Sequence, residues 1–319
     1  MSPRWNWDFE DERRPARLPV PSSLKKAPQI ARRTLIRRRR LAAALVFAVF
    51  VIVLAVALAG SHHQGSTSSA SAPTGVHGAL TPAPSRPADT LERGRKAVSS
   101  VLAYTPFVKQ GGNRGHDVAL TFDDGPGPYT PGVLSALEQA HAPATFFVIG
   151  TEERYFSAST AREIRDGFVI GNHTENHPEM ARLSAHDQHE ELFDQSARIE
   201  LAGGPRPDLF RPPYGSFNAT TFRELHNMHL LMVLWSVDTG DYEHPGVAAI
   251  VRRTLEGAKP GAIILMHDAG GDRSQTIAAL PEVIRQLRAR GFHLVTVPQL
   301  LADNPPPAGQ PLPTSLSGD

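Results

Sequence analysis

The run Val118-Ala119-Leu120-Thr121-Phe122, closed by Asp123-Asp124-Gly125, reads as a strand ending in a turn. β-branched and aromatic residues favour a pleated, buried segment, and Asp-Asp-Gly-Pro is good turn chemistry. The same pattern recurs at 144–149, 168–170, 230–235, 262–266 and 293–297. Stretches of helical periodicity lie between these runs, at 131–140, 185–201, 220–226, 247–258 and 275–290. Strand–helix alternation implies an α/β fold with a mainly parallel sheet, open or closed as a barrel. Ligand sites in such folds gather at the carboxyl ends of the strands.

Those strand ends carry the reactive residues. Asp123 and Asp124 follow the first run, and His173 and His177 follow 168–170. Arg211-Pro212-Pro213-Tyr214-Gly215 follows Leu209-Phe210, Asp238 and Asp241 follow 230–235, and His267-Asp268 follows 262–266. A four-residue spacing, read as a helical turn, sets the His173 and His177 imidazoles on one side, able to share an ion. With 14 His in the chain, about 0.6 such pairs are expected by chance, so the pair alone is a weak signal. Two adjacent carboxylates at a buried strand end repel unless a cation or hydrogen bonds compensate them. Alternation along a strand would send Asp123 and Asp124 to opposite sides, one for an ion and one for its water.

Composition narrows the chemistry. The chain of 319 residues has no Cys, which removes disulfides, thiolate nucleophiles and Cys-based metal sites. His and carboxylates remain as ligands. No Gly-x-Ser-x-Gly elbow occurs, and Gly125-Pro126-Gly127 lacks what a phosphate loop needs. His189-Glu190 opens like a zinc protease motif, but Phe193 stands where the second His belongs. Residues 1–40 hold 12 Lys/Arg against 4 Asp/Glu, so the rest of a chain of net charge +1 is acidic. The basic charge belongs to a tail, and no nucleic-acid partner is expected.

The organisation expected is a basic disordered tail at 1–40, a transmembrane signal-anchor helix at 41–59 and a flexible linker at 60–88. A lead-in at 89–114, the folded domain at 115–303 and a disordered tail at 304–319 complete it. The run 41–59 is uncharged, about as long as a hydrocarbon core requires, and preceded by arginines at 37–40. The positive-inside rule then sends the C-terminal domain out of the cytoplasm. Cleavage near Ala59 would instead release it as a secreted protein.

Five segments, in order, resemble the motifs of the polysaccharide deacetylase family, the NodB-homology group or carbohydrate esterase family 4. They are Thr121-Phe122-Asp123-Asp124-Gly125, His173-Thr174-x-x-His177-Pro178, Arg211-Pro212-Pro213-Tyr214-Gly215, Asp238-x-x-Asp241-Tyr242 and Leu265-Met266-His267. The resemblance covers about 115–300 and implies a distorted (β/α) barrel of the NodB type that hydrolyses acetyl groups on sugars. It casts Asp123 as general base, Arg211 as the residue orienting it, and His267 as general acid held by Asp238. Asp124, His173 and His177 become ligands of a divalent ion, Zn2+ by donor type, with Co2+ or Ni2+ also suited. Tyr214 would offer its backbone N–H to the oxyanion, and Leu265 and Trp235 would wall the acetyl pocket. Tyr242 stands where the fourth motif commonly has Trp.

The expected activity is removal of N-acetyl groups from an N-acetylated amino-sugar polysaccharide, peptidoglycan or another wall glycan, beside the membrane that holds 41–59. An O-acetyl esterase acting on xylan or wall sugars is the rival enzyme. A catalytically silent glycan-binding domain is the rival of another class, though Asp123 and His267 are both present.

Overall fold

The computed structural model describes residues 87–309. The expected tail, anchor helix and most of the linker lie outside these residues. Among the described residues no helix is long and apolar enough to cross a membrane. Seventeen elements follow in order: α1 (Pro87–Leu102), β1 (Phe107–Val108), β2 (Asp117–Asp123), α2 (Thr130–Gln139), β3 (Thr145–Val148), α3 (Gly150–Arg165), β4 (Val169–Asn172), α4 (Ala185–Leu201), β5 (Leu209–Phe210), α5 (Ala219–Met228), β6 (Leu231–Val233), β7 (Val237–Asp238), α6 (Val247–Gly257), β8 (Ile263–His267), α7 (Ser274–Ala289), β9 (His293–Val295) and α8 (Val297–Asp303). Short 3-10 turns stand at Met180–Arg182, Pro213–Gly215 and Asp241–Glu243.

All strand pairs are parallel, in the order β1-β6-β5-β4-β3-β2-β8-β7, with β9 beside the start of β2. β6 and β7 lie toward opposite ends of that order, yet only Leu234, Trp235 and Ser236 separate them in the chain. At about 3.8 Å per Cα step, so short a link brings the two ends together. Leu234 N–H bonds to Val108 O at 2.8 Å, and Ser236 N–H bonds to Ile263 O at 3.0 Å. The sheet is therefore curled into a distorted barrel.

Alternation along the strands sorts two cores. Val118, Leu120 and Phe122 of β2 point outward with Phe146, Val148, Ile264 and Met266, and pack on α2, α6 and α7. Ala119, Phe147 and Ile263 point inward, where α1 and α8 close one end with Val98, Val101, Val297 and Leu300. The inward phase of β2 continues through Thr121 to Asp123, and that of β8 through Leu265 to His267. Asp123 and His267 are register partners across β2 and β8. Hydrophobic packing outside the barrel thereby fixes which polar groups face its interior.

Three sequence expectations change here. Residues 89–114 are no mere lead-in, because β1 pairs with β6 at the sheet edge and Val98, Val101 and Val108 are core residues. Residues 304–306 are no free tail. Asn304 Nδ2 donates to Gly112 O at 2.6 Å, and Tyr104 OH donates to Pro306 O at 2.8 Å. Helix α3 has no counterpart among the expected elements. Its buried positions are Gly150, Glu153, Ser159, Thr160 and Glu163, so its core face carries no apolar stripe to read.

Candidate active site

Asp123 ends β2 inside the barrel mouth, and Arg211 meets it from the far side. Arg211 Nη1 donates to Asp123 Oδ1 at 2.7 Å and to Thr121 Oγ1 at 2.8 Å. Its Nε donates to Val233 O at 3.0 Å, and the guanidinium lies 4.2 Å from the Phe147 ring centroid. Arg211 is fully buried, and burial pushes its guanidinium down while Asp123 opposes the shift. A buried charge of this kind needs its partner, so the pair is fixed in place.

Asp124 does not follow the strand. Its φ of 71° lies in the left-handed region, which swings its carboxylate into the same cleft as Asp123. The expected divergence of the two carboxylates is thereby corrected: a turned backbone breaks the alternation. The segment from His173 to His177 is likewise a loop, not a helical turn. Thr174 and His177 take φ values of 70° and 59°, and these turns, not helical spacing, bring the imidazoles together.

One ligand atom from each of Asp124, His173 and His177 lies within 4.8 Å of the others. Asp124 Oδ1 is 3.1 Å from His177 Nε2 and 3.5 Å from His173 Nε2. Burial pushes the Asp124 carboxyl up, but hydrogen bonds from His173 and His177 and the charge of His267 outweigh this and hold it well below the usual range. His173 Nδ1 bonds to Arg211 O at 2.7 Å, which leaves Nε2 as the ring nitrogen facing the cleft. Two imidazoles and one carboxylate form a donor set for a divalent ion with room for water. Gly270 presses on the same carboxylate: a Cβ there would come within 2.4 Å of Asp124 Oδ2. The residues present therefore fit an ion of this class.

The His-bearing loop is held from outside. Glu175, between the two imidazoles in sequence, takes Arg154 of α3 at 2.7 Å and Arg198 of α4 at 2.6 Å. Its backbone N–H bonds to Glu191 O at 3.0 Å, and Thr151 N–H bonds to Glu175 O at 2.8 Å. The sequence reading assigned Glu175 nothing, because its partners are distant in the chain.

His267 faces the triad from β8, and its carboxylate partner is Asp241, not Asp238. Asp241 Oδ1 bonds to His267 Nδ1 at 2.8 Å, and Oδ2 takes His267 N–H at 2.9 Å and Thr276 Oγ1 at 2.7 Å. Burial pushes His267 down, but the bond and charge of Asp241 overcome it, with help from Asp124 and Asp123, and raise it to about 9. Burial likewise pushes Asp241 up, and His267 and Thr276 bring it below its usual value. Asp238 ends β7 and turns back on its own loop, accepting Gly240 N–H at 2.8 Å. Left-handed Gly240 then carries Asp241 beneath β8. Asp238 still lines the cleft, and the Tyr242 hydroxyl lies 3.5 Å from it. The Tyr242 ring meets His267 edge-on at 5.3 Å.

Leu265, Trp235 and Tyr214 join these groups around a cleft of about 1250 Å³. The Tyr214 hydroxyl lies 3.1 Å from His177 Nδ1, a contact that the sequence reading, which gave Tyr214 only a backbone role, did not contain.

Asp123, His267 and the three-donor cluster thus meet at the carboxyl end of the parallel strands, where ligand sites of this fold class gather. The family model for polysaccharide deacetylase matches residues 110–233. A peptidoglycan-N-acetylglucosamine deacetylase of Bacillus cereus is 41% identical over 187 residues, covering 58% of this chain and 87% of that protein. A chitooligosaccharide deacetylase of a Bradyrhizobium species is 39% identical over 196 residues, covering 57% and 90%. Among solved structures, the Bc1960 peptidoglycan N-acetylglucosamine deacetylase superposes with a TM-score of 0.60 at 32% identity, covering 64% of this chain and 96% of that one. The chain belongs to the polysaccharide deacetylase family. It is an enzyme of that kind, a hydrolase acting on amide carbon–nitrogen bonds.

Proposed function

We propose that this enzyme removes N-acetyl groups from peptidoglycan or a related wall glycan in a reaction that requires a divalent ion. The observation that carries the reading is the placement of Asp123 and His267 as register partners on adjacent strands beside the Asp124–His173–His177 donor set. A bound divalent ion, Zn2+ by donor type and Co2+ or Ni2+ as substitutes, would lower the pKa of water and polarise the acetyl carbonyl.

Asp123, aimed by Arg211, accepts the proton of the attacking water as the oxygen adds to the acetyl carbon. The backbone N–H of Tyr214 faces the oxygen on which negative charge develops. His267 gives its Nε2 proton to the sugar nitrogen as the carbon–nitrogen bond breaks, so the products are acetate and a free amine. An amide nitrogen leaves poorly unless protonated, and a His267 raised to about 9 is charged at neutral pH and ready to donate. Leu265 and Trp235 offer apolar surface to the acetyl methyl.

Peptidoglycan is favoured because two features converge on it. The Bacillus cereus relative bears that substrate in its name, and the apolar segment 41–59 behind a basic tail suits an anchor that holds the domain outside the cytoplasmic membrane. The test is acetate release by the full-length protein from peptidoglycan, N-acetylglucosamine oligomers and O-acetylated xylan, each with and without a chelator. Chelator-sensitive release from peptidoglycan, with little from xylan, is the expected result. Release from xylan alone would replace this reading with an O-acetyl esterase.

A further inference from the structure

The two metal-site imidazoles are oriented from one short segment. His173 Nδ1 lies 2.7 Å from the backbone carbonyl of Arg211, and His177 Nδ1 lies 3.1 Å from the hydroxyl of Tyr214. A carbonyl only accepts, so His173 carries its proton on Nδ1 and turns the Nε2 lone pair toward Asp124. A phenol hydroxyl can accept in the same way, and with Nε2 turned to the ion the Nδ1–H of His177 donates to it.

Tyr214 is not placed there by core packing. It is 69% exposed, yet its ring meets the His177 ring edge-on with centroids 4.6 Å apart. Its φ of 55° is left-handed, and Gly215 follows at 61°. That conformation is disfavoured for a residue with a Cβ. Little core burial is available to offset this cost, whereas the turn does deliver the hydroxyl onto His177.

We propose that Tyr214 is a positioning residue for the metal site, its hydroxyl accepting from Nδ1 and holding the direction of the His177 ring. This rests on the reading of Asp124, His173 and His177 as a metal site. It adds to the backbone role of Tyr214 a side-chain role that acts on metal affinity. His173 takes its partner from the main chain, which substitution cannot remove. His177 takes its partner from a side chain, so the ion's hold at this ligand is open to tuning at position 214.

The test is a Zn2+ competition titration against a chromophoric chelator on the full-length protein stripped of metal. Tyr214→Phe removes only the hydroxyl, and Tyr155→Phe, at a 79% exposed tyrosine of α3, is the control. Loss of such an outer partner weakens metal binding about 10- to 100-fold, and the exposed position here points to the lower end of that range. The expected result is a Zn2+ Kd raised about tenfold in Tyr214→Phe and unchanged in Tyr155→Phe. The melting temperature of the metal-free protein should not move, and the visible spectrum of the Co2+ form should shift. A Kd within about twofold of wild type, or a loss of metal-free stability that accounts for the change, overturns the proposal. Wild-type protein that takes up no Zn2+ overturns both this and the metal-site reading. Wild-type protein that binds Zn2+ but releases no acetate overturns the proposed function alone.

Discussion

Asp241 grips His267 twice, through Nδ1 at 2.8 Å and through the backbone N–H at 2.9 Å. The first contact raises the imidazole and the second fixes where β8 ends, so charge and position come from one carboxylate. With Thr276 at 2.7 Å, Asp241 has its lone pairs directed and is itself held below its usual value.

The pH dependence of turnover follows. His267 acts as an acid only while protonated, and its raised value of about 9 keeps it so at neutral pH. Turnover is therefore expected to fall as pH rises through about 9. Asp241→Asn removes the charge that raises His267, so the alkaline limb should move toward lower pH and turnover near neutrality should drop about 10- to 100-fold. Asp238→Asn should move that limb much less, because Asp238 makes no bond to His267 and acts on it through charge alone. A pH–rate profile of both variants checks this, and a limb that moved with Asp238 instead would reverse the assignment. The stability linkage has the same sign. The His267 contribution is fully present below its ordinary 6.5 and is lost as pH rises through about 9.

The error over Asp238 shows where sequence stops being informative. Asp238 and Asp241 are three residues apart with the same side chain, and nothing in the spacing says which one reaches β8. A left-handed glycine between them settles it. The His pair was legible as a pair but not as a loop, because Thr174 and His177 take conformations that their residue types do not announce. β2 and β8 were legible because each is a short run of β-branched and apolar residues that ends on Asp or His. α3 was not, since its inward residues are polar: burial pushes Glu153 up to about 8. The Tyr214–His177 and Glu175–Arg198 contacts join residues far apart in sequence, and only the closed barrel brings them together.

Arg211 and Asp123 should separate stability from chemistry. Arg211→Leu leaves the Asp123 carboxylate buried without its charge partner, and breaking such a pair costs about 3–5 kcal/mol. Urea unfolding of the variant should show a loss of that order together with loss of activity. Asp123→Asn keeps a hydrogen-bonding group beside Arg211. It should lower turnover about 10²- to 10⁴-fold while Zn2+ still binds. A metal titration beside the rate measurement checks this, and His177→Ala should show the opposite pattern, with occupancy itself reduced. Unchanged turnover in Asp123→Asn would remove Asp123 from the role of base.

Glu175 should matter for the metal site through the loop alone. Its carboxylate holds Arg154 and Arg198 from outside and points away from the donor cluster. Glu175→Ala leaves both arginines partly exposed, so a stability loss of about 1–3 kcal/mol is expected. Zn2+ affinity should fall with it, because Thr174 and His177 keep their left-handed turns only while the loop is anchored. Glu175→Gln, which retains two acceptor positions on one oxygen, should be milder in both measurements. Equal affinity in all three proteins would show that the backbone bonds to Thr151 and Glu191 suffice.

Gly270 offers the sharpest steric test of Asp124. A Cβ at Gly270 would lie 2.4 Å from Asp124 Oδ2 and 3.1 Å from its Cγ, closer than van der Waals contact allows. The φ of +72° adds backbone strain of about 1–2 kcal/mol for any residue with a side chain. Gly271 carries a similar backbone cost at φ +138°, but a Cβ there would meet only Arg273, at 3.6 Å. Gly270→Ala should therefore displace the Asp124 carboxylate and weaken Zn2+ binding, with turnover partly restored by excess Zn2+. Gly271→Ala should lower the melting temperature and leave Zn2+ affinity near wild type. Melting curves and competition titrations on both variants separate the two causes. An equal loss of affinity in the two would assign the effect to loop strain and not to contact with Asp124.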